Sequence, residues 1–280
     1  MQIIVARYNE DITWTKSFNN LIIYNKGNPI DESYNQIILD NVGREGHTYY
    51  THIYNNYDNL DDYIVFLQGN PFDHSPNIIH NLNHYINNKP NIDFEYLSEN
   101  IIKTKFDGCP YHPNLPFKEV FEVLFNDNID NMSNKFANEV PFGAGAQFIV
   151  SKKKILSRSK DFYLKIVNLL GYSNNPIEGF VIERFHYLIF DNLEDYLPPD
   201  FNIDVYRTCN SDLINLTNYQ LLHHWKVSGC NENRIYKKPS NFNYDFYRNL
   251  YHDLKDLNDI QLLWHWYNFG IIENRANPFF

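Results

Sequence analysis

The chain has 280 residues, 43% hydrophobic and 17% aromatic, enough apolar material for one large domain or two smaller ones. Twenty-four Lys and Arg against 34 Asp and Glu give a formal net charge of −10, which argues against the clustered positive surface that a nucleic-acid backbone requires. No apolar run approaches the roughly 20 residues of a membrane span, and the N-terminus enters a strand pattern with no leader, so a cytoplasmic protein without a membrane span is expected.

Heavy use of Asn, Ile, Tyr and Lys fits an AT-rich genome, of viral or host-cytoplasmic origin. Cys109, Cys209 and Cys230 are odd in number and widely spaced, and read as reduced thiols.

Four apolar runs open the chain, and each finishes in a polar or glycine-bearing turn. Ile3 to Ala6 ends in Arg7-Tyr8-Asn9-Glu10. Leu21 to Tyr24 ends in Asn25-Lys26-Gly27. Ile37 to Leu39 leads into DNVGREGHTYYTH. Tyr63 to Leu67 ends in QGNPFDH. Ligands of open α/β sheets bind outside the carboxyl ends of the strands, so four such endings imply one pocket lined by successive strand ends. Arg44 and Glu45 follow Gly43 at a strand-to-helix turn, where an Arg beside a helix N-terminus makes a ready phosphate site. His47 and His52 are five apart, the wrong spacing for two zinc ligands on one helix face. Asp73 and His74 are hard-oxygen and imidazole donors for a divalent cation, or else a turn cap.

The segment PFGAGAQFIVSKKKIL follows at Pro141. Gly143 and Gly145 permit close backbone approach to a ligand, Ala144 keeps the loop narrow, and Gln147 offers an amide at the mouth of a strand from Phe148 to Ser151. Lys152, Lys153 and Lys154 read as a solvated face. About 35 residues further on, Glu178 and Glu183 bracket an apolar run in EGFVIERF. Five residues apart on a helix, they project about 140° apart, so only one can face a given pocket well.

Together RYNED, IYNKG, NVGREGHTY, YDNLDDYIVFLQGNPFDH, PFGAGAQFIVSKKKIL and EGFVIERF resemble domain-of-unknown-function family 3431, regarded as GT-A-like, over roughly residues 1 to 195. The Gly-Arg-acid stretch is also similar to a motif of polysaccharide-assembly glycosyltransferases. The family tends to carry Trp shortly after Glu-Arg, where this chain has His186. The Asp-x-Asp metal motif of most GT-A enzymes is replaced by Gln68-Gly69, which leaves dependence on Mn²⁺ or Mg²⁺ open.

The last third repeats itself with an offset of 41 residues. Phe201, Asp204, Tyr206-Arg207, Asp212-Leu213, His224-Trp225, Gly229 and Glu232-Asn233-Arg234 recur at Phe242, Asp245, Tyr247-Arg248, Asp253-Leu254, His265-Trp266, Gly270 and Glu273-Asn274-Arg275. A fixed period marks stacked supersecondary units. Each unit reads as two short helices closed by a C-cap glycine, with the His packed and hydrogen-bonded rather than metal-bound. The repeat resembles helical modules appended to glycosyltransferases, and Pro198-Pro199 reads as the linker.

The expected architecture is α/β: a GT-A-like, mainly parallel sheet flanked by helices over 1–197, then a small all-α repeat domain over 198–280. The resemblance implies sugar transfer from a nucleotide-sugar donor, such as a UDP-sugar, to a hydroxyl of a glycan or protein acceptor. In that reading Arg7, Asn9, Asn25 and Lys26 meet the nucleoside, and Arg44 with Glu45 meets the diphosphate. Gln68, Asp73 and His74 lie near the donor sugar and any metal, and Gly143, Ala144, Gly145 and Gln147 shape the acceptor side. Glu183 is the general base, with Glu178 second. Two alternatives remain open: a catalytically silent nucleotide- or carbohydrate-binding protein, and an interaction scaffold that captures a protein partner through residues 200–280.

Overall fold

The structure, a computed structural model, describes residues 1–88, 91–104, 112, 114–126, 140–190, 196–216 and 218–279. Cys109 lies outside the described residues. The chain divides near residue 193 into two compact units.

The first unit is built on a six-stranded sheet. Its strands are β1 (Gln2–Arg7), β2 (Leu21–Asn25), β3 (Gln36–Ile38), β4 (Tyr63–Gln68), β5 (Phe94–Tyr96) and, after a separate two-stranded pair β6 (Ile101–Thr104) and β7 (Val140–Gly143), β8 (Phe148–Ser151). The spatial order is β3-β2-β1-β4-β8-β5. β1 pairs in parallel with β2 (Ile3 with Leu21) and with β4 (Ile3 with Val65), and β3 continues the parallel set. β8 runs antiparallel to both β4 and β5. The sheet is therefore mainly parallel. β5, only three residues long, carries too little periodic signal to be read from sequence.

Successive side chains of a strand face opposite sides. Ile3, Val5, Ile23, Val65, Leu67 and Ile149 turn one way and pack with Ile78 and Leu82 of helix α2 (Ile78–Asn88). On the other side Phe66 and Phe148 meet Tyr49 of helix α1 (Arg44–Asn56). Burial on both faces explains why the central strands are continuous apolar runs rather than alternating ones. α3 (Phe117–Phe125), α4 (Lys152–Leu156), α5 (Lys160–Leu170) and α6 (Glu178–Phe190) complete this unit.

α1 begins at Gly43, whose φ is 64° and where a Cβ would lie 2.4 Å from the His47 Cβ and 2.8 Å from the Leu170 carbonyl oxygen. Only glycine fits that turn. Arg44 follows with φ 52°. Lys154 departs from the expected solvated face: it is buried, with its ammonium 3.9 Å from Asp93.

The second unit holds α7 (Ile203–Thr208), α8 (Asn218–Val227), α9 (Tyr244–Leu250) and α10 (Asp259–His265), with short 3-10 turns between them. Matching contacts recur 41 residues apart. The Tyr206 hydroxyl bonds to His224 Nδ1 (2.7 Å) and the Tyr247 hydroxyl to His265 Nδ1 (3.0 Å). Arg207 Nε donates to the Leu216 carbonyl and Arg248 Nε to the Leu257 carbonyl. Arg234 pairs with Asp212 and Glu232, and Arg275 with Asp253 and Glu273. Val205 and Cys209 of the first copy join the core of the second.

Gly229 and Gly270 do not adopt the left-handed C-cap conformation expected for them. Their role is steric, because a Cβ would sit 2.0 Å from the Tyr206 hydroxyl and 2.3 Å from the Tyr247 hydroxyl. Among the described residues no helix is long and apolar enough to cross a membrane.

Candidate functional site

From β1 the sheet grows outward through β2 to β3 and then resumes on the other side at β4. The turns leaving β1 and β4 therefore diverge, and a crevice opens at the carboxyl ends of the strands where the order reverses. A cavity of about 450 Å³ occupies it, lined by Arg7, Tyr8, Glu10, Lys26, Asn41, Arg44, Glu45, Gln68, Asn70, Asp73, Asn174 and Asn175 among others. Three basic and three acidic side chains share this cleft, so it is polar without a strong net charge.

The two turns are tied together. Glu10 accepts the Tyr8 N–H at 2.7 Å, and its carboxylate packs on Gly69, where a Cβ would lie 2.6 Å from its Oε2. Trp14 Nε1 donates to the Gly69 carbonyl at 2.9 Å. Arg7 spends its guanidinium internally, donating to the carbonyls of Glu10, Tyr8 and Asn28 and to Asn25 Oδ1 at 2.7 Å. Asn25 is buried and also takes the Gly27 N–H. Asn9 accepts the Asn28 N–H and does not line the cleft. Of the three residues expected at the nucleoside, Arg7 lines the cleft while its guanidinium also frames the turns, and Asn9 and Asn25 are not among the lining residues. Arg7 and Asn25 both sit at strand ends whose side chains turn inward.

Lys26 keeps its place in the cleft. Its ammonium donates to the carbonyls of Val42 (2.6 Å) and Arg44 (2.5 Å), which fixes the left-handed entry to α1. Burial lowers its pKa to about 8, against the favourable field of Glu45. An ammonium has three donors, and these two carbonyls take two of them.

Arg44 reaches beyond this cleft. Its guanidinium lies 4.4 Å from the Phe180 ring centroid and 3.6 Å from Glu45. Arg44 and Gln68 also line a second cavity of about 370 Å³, with His74, Ile102, His112, Phe142, Ala144, Gly145, Phe180, Glu183 and Arg184. The two cavities are therefore neighbours across a shared pair of side chains. The second has aromatic walls: His112 stacks on Phe180 with centroids 4.3 Å apart.

Glu183 lies in this second cavity. Its Oε1 accepts the Gly145 N–H at 2.9 Å, and its Oε2 is 3.6 Å from Arg184. Burial, aided by the charge of Glu45, raises its pKa above the ordinary value; Arg184, the Gly145 N–H and Arg44 oppose that rise. Glu178 sits at the start of the same helix, accepts the Tyr172 hydroxyl at 2.6 Å and lines neither cavity. The helical spacing separates the two carboxylates as their positions require.

The loop Gly143–Gln147 is built around steric necessity. At Gly143 a Cβ would meet the Tyr96 ring at 2.8 Å, and at Gly145 (φ 84°) it would meet His74 Cδ2 at 2.4 Å. The Ala144 carbonyl accepts the Ser98 hydroxyl at 2.6 Å. Gln147 is fully buried and donates to the Pro71 carbonyl at 3.0 Å, so its amide braces the loop after β4 instead of standing at the cavity mouth.

Asp73 and His74 fall into different cavities, Asp73 into the first and His74 into the second. Among the described residues no group of three or more His, Cys, Asp or Glu could hold a metal ion. Asp73 accepts the Asn70 amide at 3.1 Å, which is turn chemistry. His52 is a core residue, bonded through Nδ1 to the Tyr24 hydroxyl, and burial lowers its pKa to about 4. His186 is buried against Phe148, 4.6 Å between centroids, and Tyr50, filling an aromatic position.

Sequence reasoning missed Tyr8, Glu10, Asn70, His112, Phe142 and Phe180. The first two lie in RYNED, in the polar turn that follows β1. The aromatic pair Phe142 and Phe180 stood inside the quoted PFGAG and EGFVI.

No curated protein and no solved structure matches the chain at a significant level. A family model described as "Protein of unknown function (DUF3431)" matches residues 3–203. That match runs from the second residue of β1 past the end of α6, including both cavities and every residue that lines them, and the chain belongs to this family.

Proposed function

We propose that the first unit is a GT-A-like sugar-transfer domain, in which the strand-end cleft takes the nucleoside diphosphate of a nucleotide sugar and the neighbouring cavity takes the acceptor. One observation carries the reading: Glu183, a largely buried carboxylate with a raised pKa, faces a cavity that shares Arg44 and Gln68 with the polar cleft. A carboxylate is a better proton acceptor the higher its pKa, provided it stays ionised at the working pH.

In this reaction Glu183 takes the proton of an acceptor hydroxyl. The hydroxyl oxygen forms a bond to the anomeric carbon of the donor sugar while the bond from that carbon to the diphosphate oxygen breaks. The electron pair leaves with the nucleoside diphosphate, so displacement is direct and inverts the anomeric centre. Arg44, at the boundary of the two cavities, stabilises the charge that develops on the leaving diphosphate. The Gly145 N–H and Arg184 hold the Glu183 carboxylate in place. The second unit is an all-α repeat domain appended to this catalytic one.

The test is nucleoside diphosphate release from a panel of nucleotide sugars with simple glycosides as acceptors. Wild type is expected to turn over one donor, and Glu183→Gln to lose turnover while retaining donor binding. Full activity in Glu183→Gln would reject the mechanism. A second reading, an interaction scaffold, has one observation in its favour: Phe269, Ile271 and Ile272 near the end of the second unit are exposed.

A further inference from the structure

We infer that the acceptor is an acid: the second cavity fits a molecule that carries a carboxylate or phosphate beside the hydroxyl served by Glu183, with that anion held by His112 and Arg184. This rests on the sugar-transfer reading and names the class of its acceptor.

The aromatic walls of this cavity are already occupied. The Phe142 ring carries the Arg184 guanidinium, 4.5 Å from its centroid. The Phe180 ring carries the Arg44 guanidinium at 4.4 Å and the His112 ring at 4.3 Å. Such rings could otherwise be platforms for the apolar face of a sugar. Here they hold cations in place, so the cavity presents hydrogen-bond donors.

The donors follow from the contacts. A guanidinium only donates, so the 3.1 Å contact between Arg184 Nη2 and His112 Nδ1 makes that nitrogen an acceptor. The proton of the neutral ring is then on Nε2, which donates. Burial, then the charges of Arg184 and Arg44, lower the His112 pKa, so the ring stays neutral in a positive field. Arg184 is 1% exposed and lies 3.6 Å from Glu183. The Arg44 guanidinium makes no hydrogen bond to a described residue, and Glu45, 3.6 Å from it, lines the first cavity.

Few acceptors stand against these donors. Among the described lining residues Glu183 is the one acid, and its Oε1 already takes the Gly145 N–H. Gln68 and His74 can donate or accept. The complement of such a wall is a ligand with one hydroxyl proton to give to Glu183 and several oxygen lone pairs to offer His112 and the arginines. An anionic group meets that demand, because hydrogen bonds to charged oxygens are the shorter and stronger ones. Arg184 touches both Glu183 and His112, so its charge offsets the repulsion between the reacting carboxylate and the ligand's anion.

Titration of the full chain with methyl glucuronide, glucose 6-phosphate and methyl glucoside, each without donor and followed by ligand NMR, tests this. The better of the two sugar acids is expected to bind about tenfold tighter than the neutral glucoside or more, the scale of one hydrogen bond to a charged group. Which acid it is separates carboxylate from phosphate. Acetate and inorganic phosphate, the anions alone, are expected to bind more weakly; equal affinity would overturn the inference by making this a bare anion site. His112→Phe keeps a ring to stack on Phe180 and removes the donor, so it should erase most of the preference. His112→Gln, which keeps an N–H, should restore part of it. Equal thermal midpoints will show that neither change disturbs the fold. A preference unchanged in His112→Phe, or no binding by any of the three sugars, would overturn the inference. A neutral glucoside preferred, in binding or as acceptor during turnover, would overturn it and leave the sugar-transfer reading intact. Selective binding of the acid without turnover of any nucleotide sugar would leave the anion site standing and overturn the sugar-transfer reading instead.

Discussion

The two units of this chain treat charge in opposite ways. In the second unit each Arg of the repeat closes on acids: Arg234 on Asp212 and Glu232, Arg275 on Asp253 and Glu273, with a His–Tyr bond behind each set. These networks are local and self-contained. In the first unit, charges converge on open space. Glu183 is largely buried yet lines a cavity, its pKa raised, with Glu45 adding to the rise. Lys26 is held near a pKa of 8 in the wall of the cleft. Pairing of like residue types thus yields a structural staple in one place and a site in the other. What separates them is whether burial leaves an ionisable group facing a void.

The largest effect expected is on turnover. Glu183→Gln should lower it by about 10²-fold or more, the usual scale for losing a general base, with Glu178→Gln much milder, as initial rates on the accepted donor will show. The same Glu183→Gln variant should melt higher than wild type near neutral pH. A carboxyl whose folded pKa is raised favours the folded state when protonated, and that stability is lost as pH rises through the folded value. The advantage should disappear once the pH falls below the ordinary value of 4.5.

Next come the glycines of the repeat. Gly229→Ala or Gly270→Ala should destabilise by about 1–3 kcal/mol, the usual cost of overpacking. Each new methyl would strike a buried Tyr hydroxyl that is itself bonded to His. Denaturant melts that match wild type would show that the Tyr–His closure is loose.

Acid should weaken the first unit through its histidines. Burial depresses His47 and His52 to about 4 and His186 to about 3, from 6.5. A depressed base contributes stability that is complete above its unfolded pKa and lost as pH falls through the folded one. Stability should therefore decline from about pH 6.5 downward. His186→Phe, apolar and of similar shape, should flatten part of that decline; an unchanged pH profile would contradict it.

The smallest effect belongs to the exposed ion pairs. Arg275→Ala or Arg234→Ala should cost only about 0–1 kcal/mol for each pair removed, measured as the shift in denaturant midpoint.

Much of this arrangement is legible in the sequence. The strand endings placed one pocket at the carboxyl edge of a parallel sheet, because chain chemistry changes sharply there. The 41-residue period exposed the paired networks of the second unit. Gly143 and Gly145 read in sequence as room for a ligand, whereas the groups that press on them are the side chains of Tyr96 and His74.

What could not be read was direction. Arg7 and Arg44 are equivalent as letters, yet Arg7 lines one cavity with its guanidinium committed to the β1–β2 junction and Arg44 spans two cavities. Gln147 looked like a ligand contact, but it is buried and bonded to Pro71 through a contact 76 residues away in sequence. Such long-range pairings leave no local periodicity to detect.

The most direct test is calorimetric titration of wild-type protein and Arg44→Ala with a panel of nucleotide sugars, with and without Mg²⁺ or Mn²⁺. Saturable one-site binding of at least one donor is expected. It should weaken strongly in Arg44→Ala and recover only partly in Arg44→Lys, which lacks the bidentate fork. No binding by any donor, or the same affinity in Arg44→Ala, would contradict a diphosphate held at the junction of the two cavities.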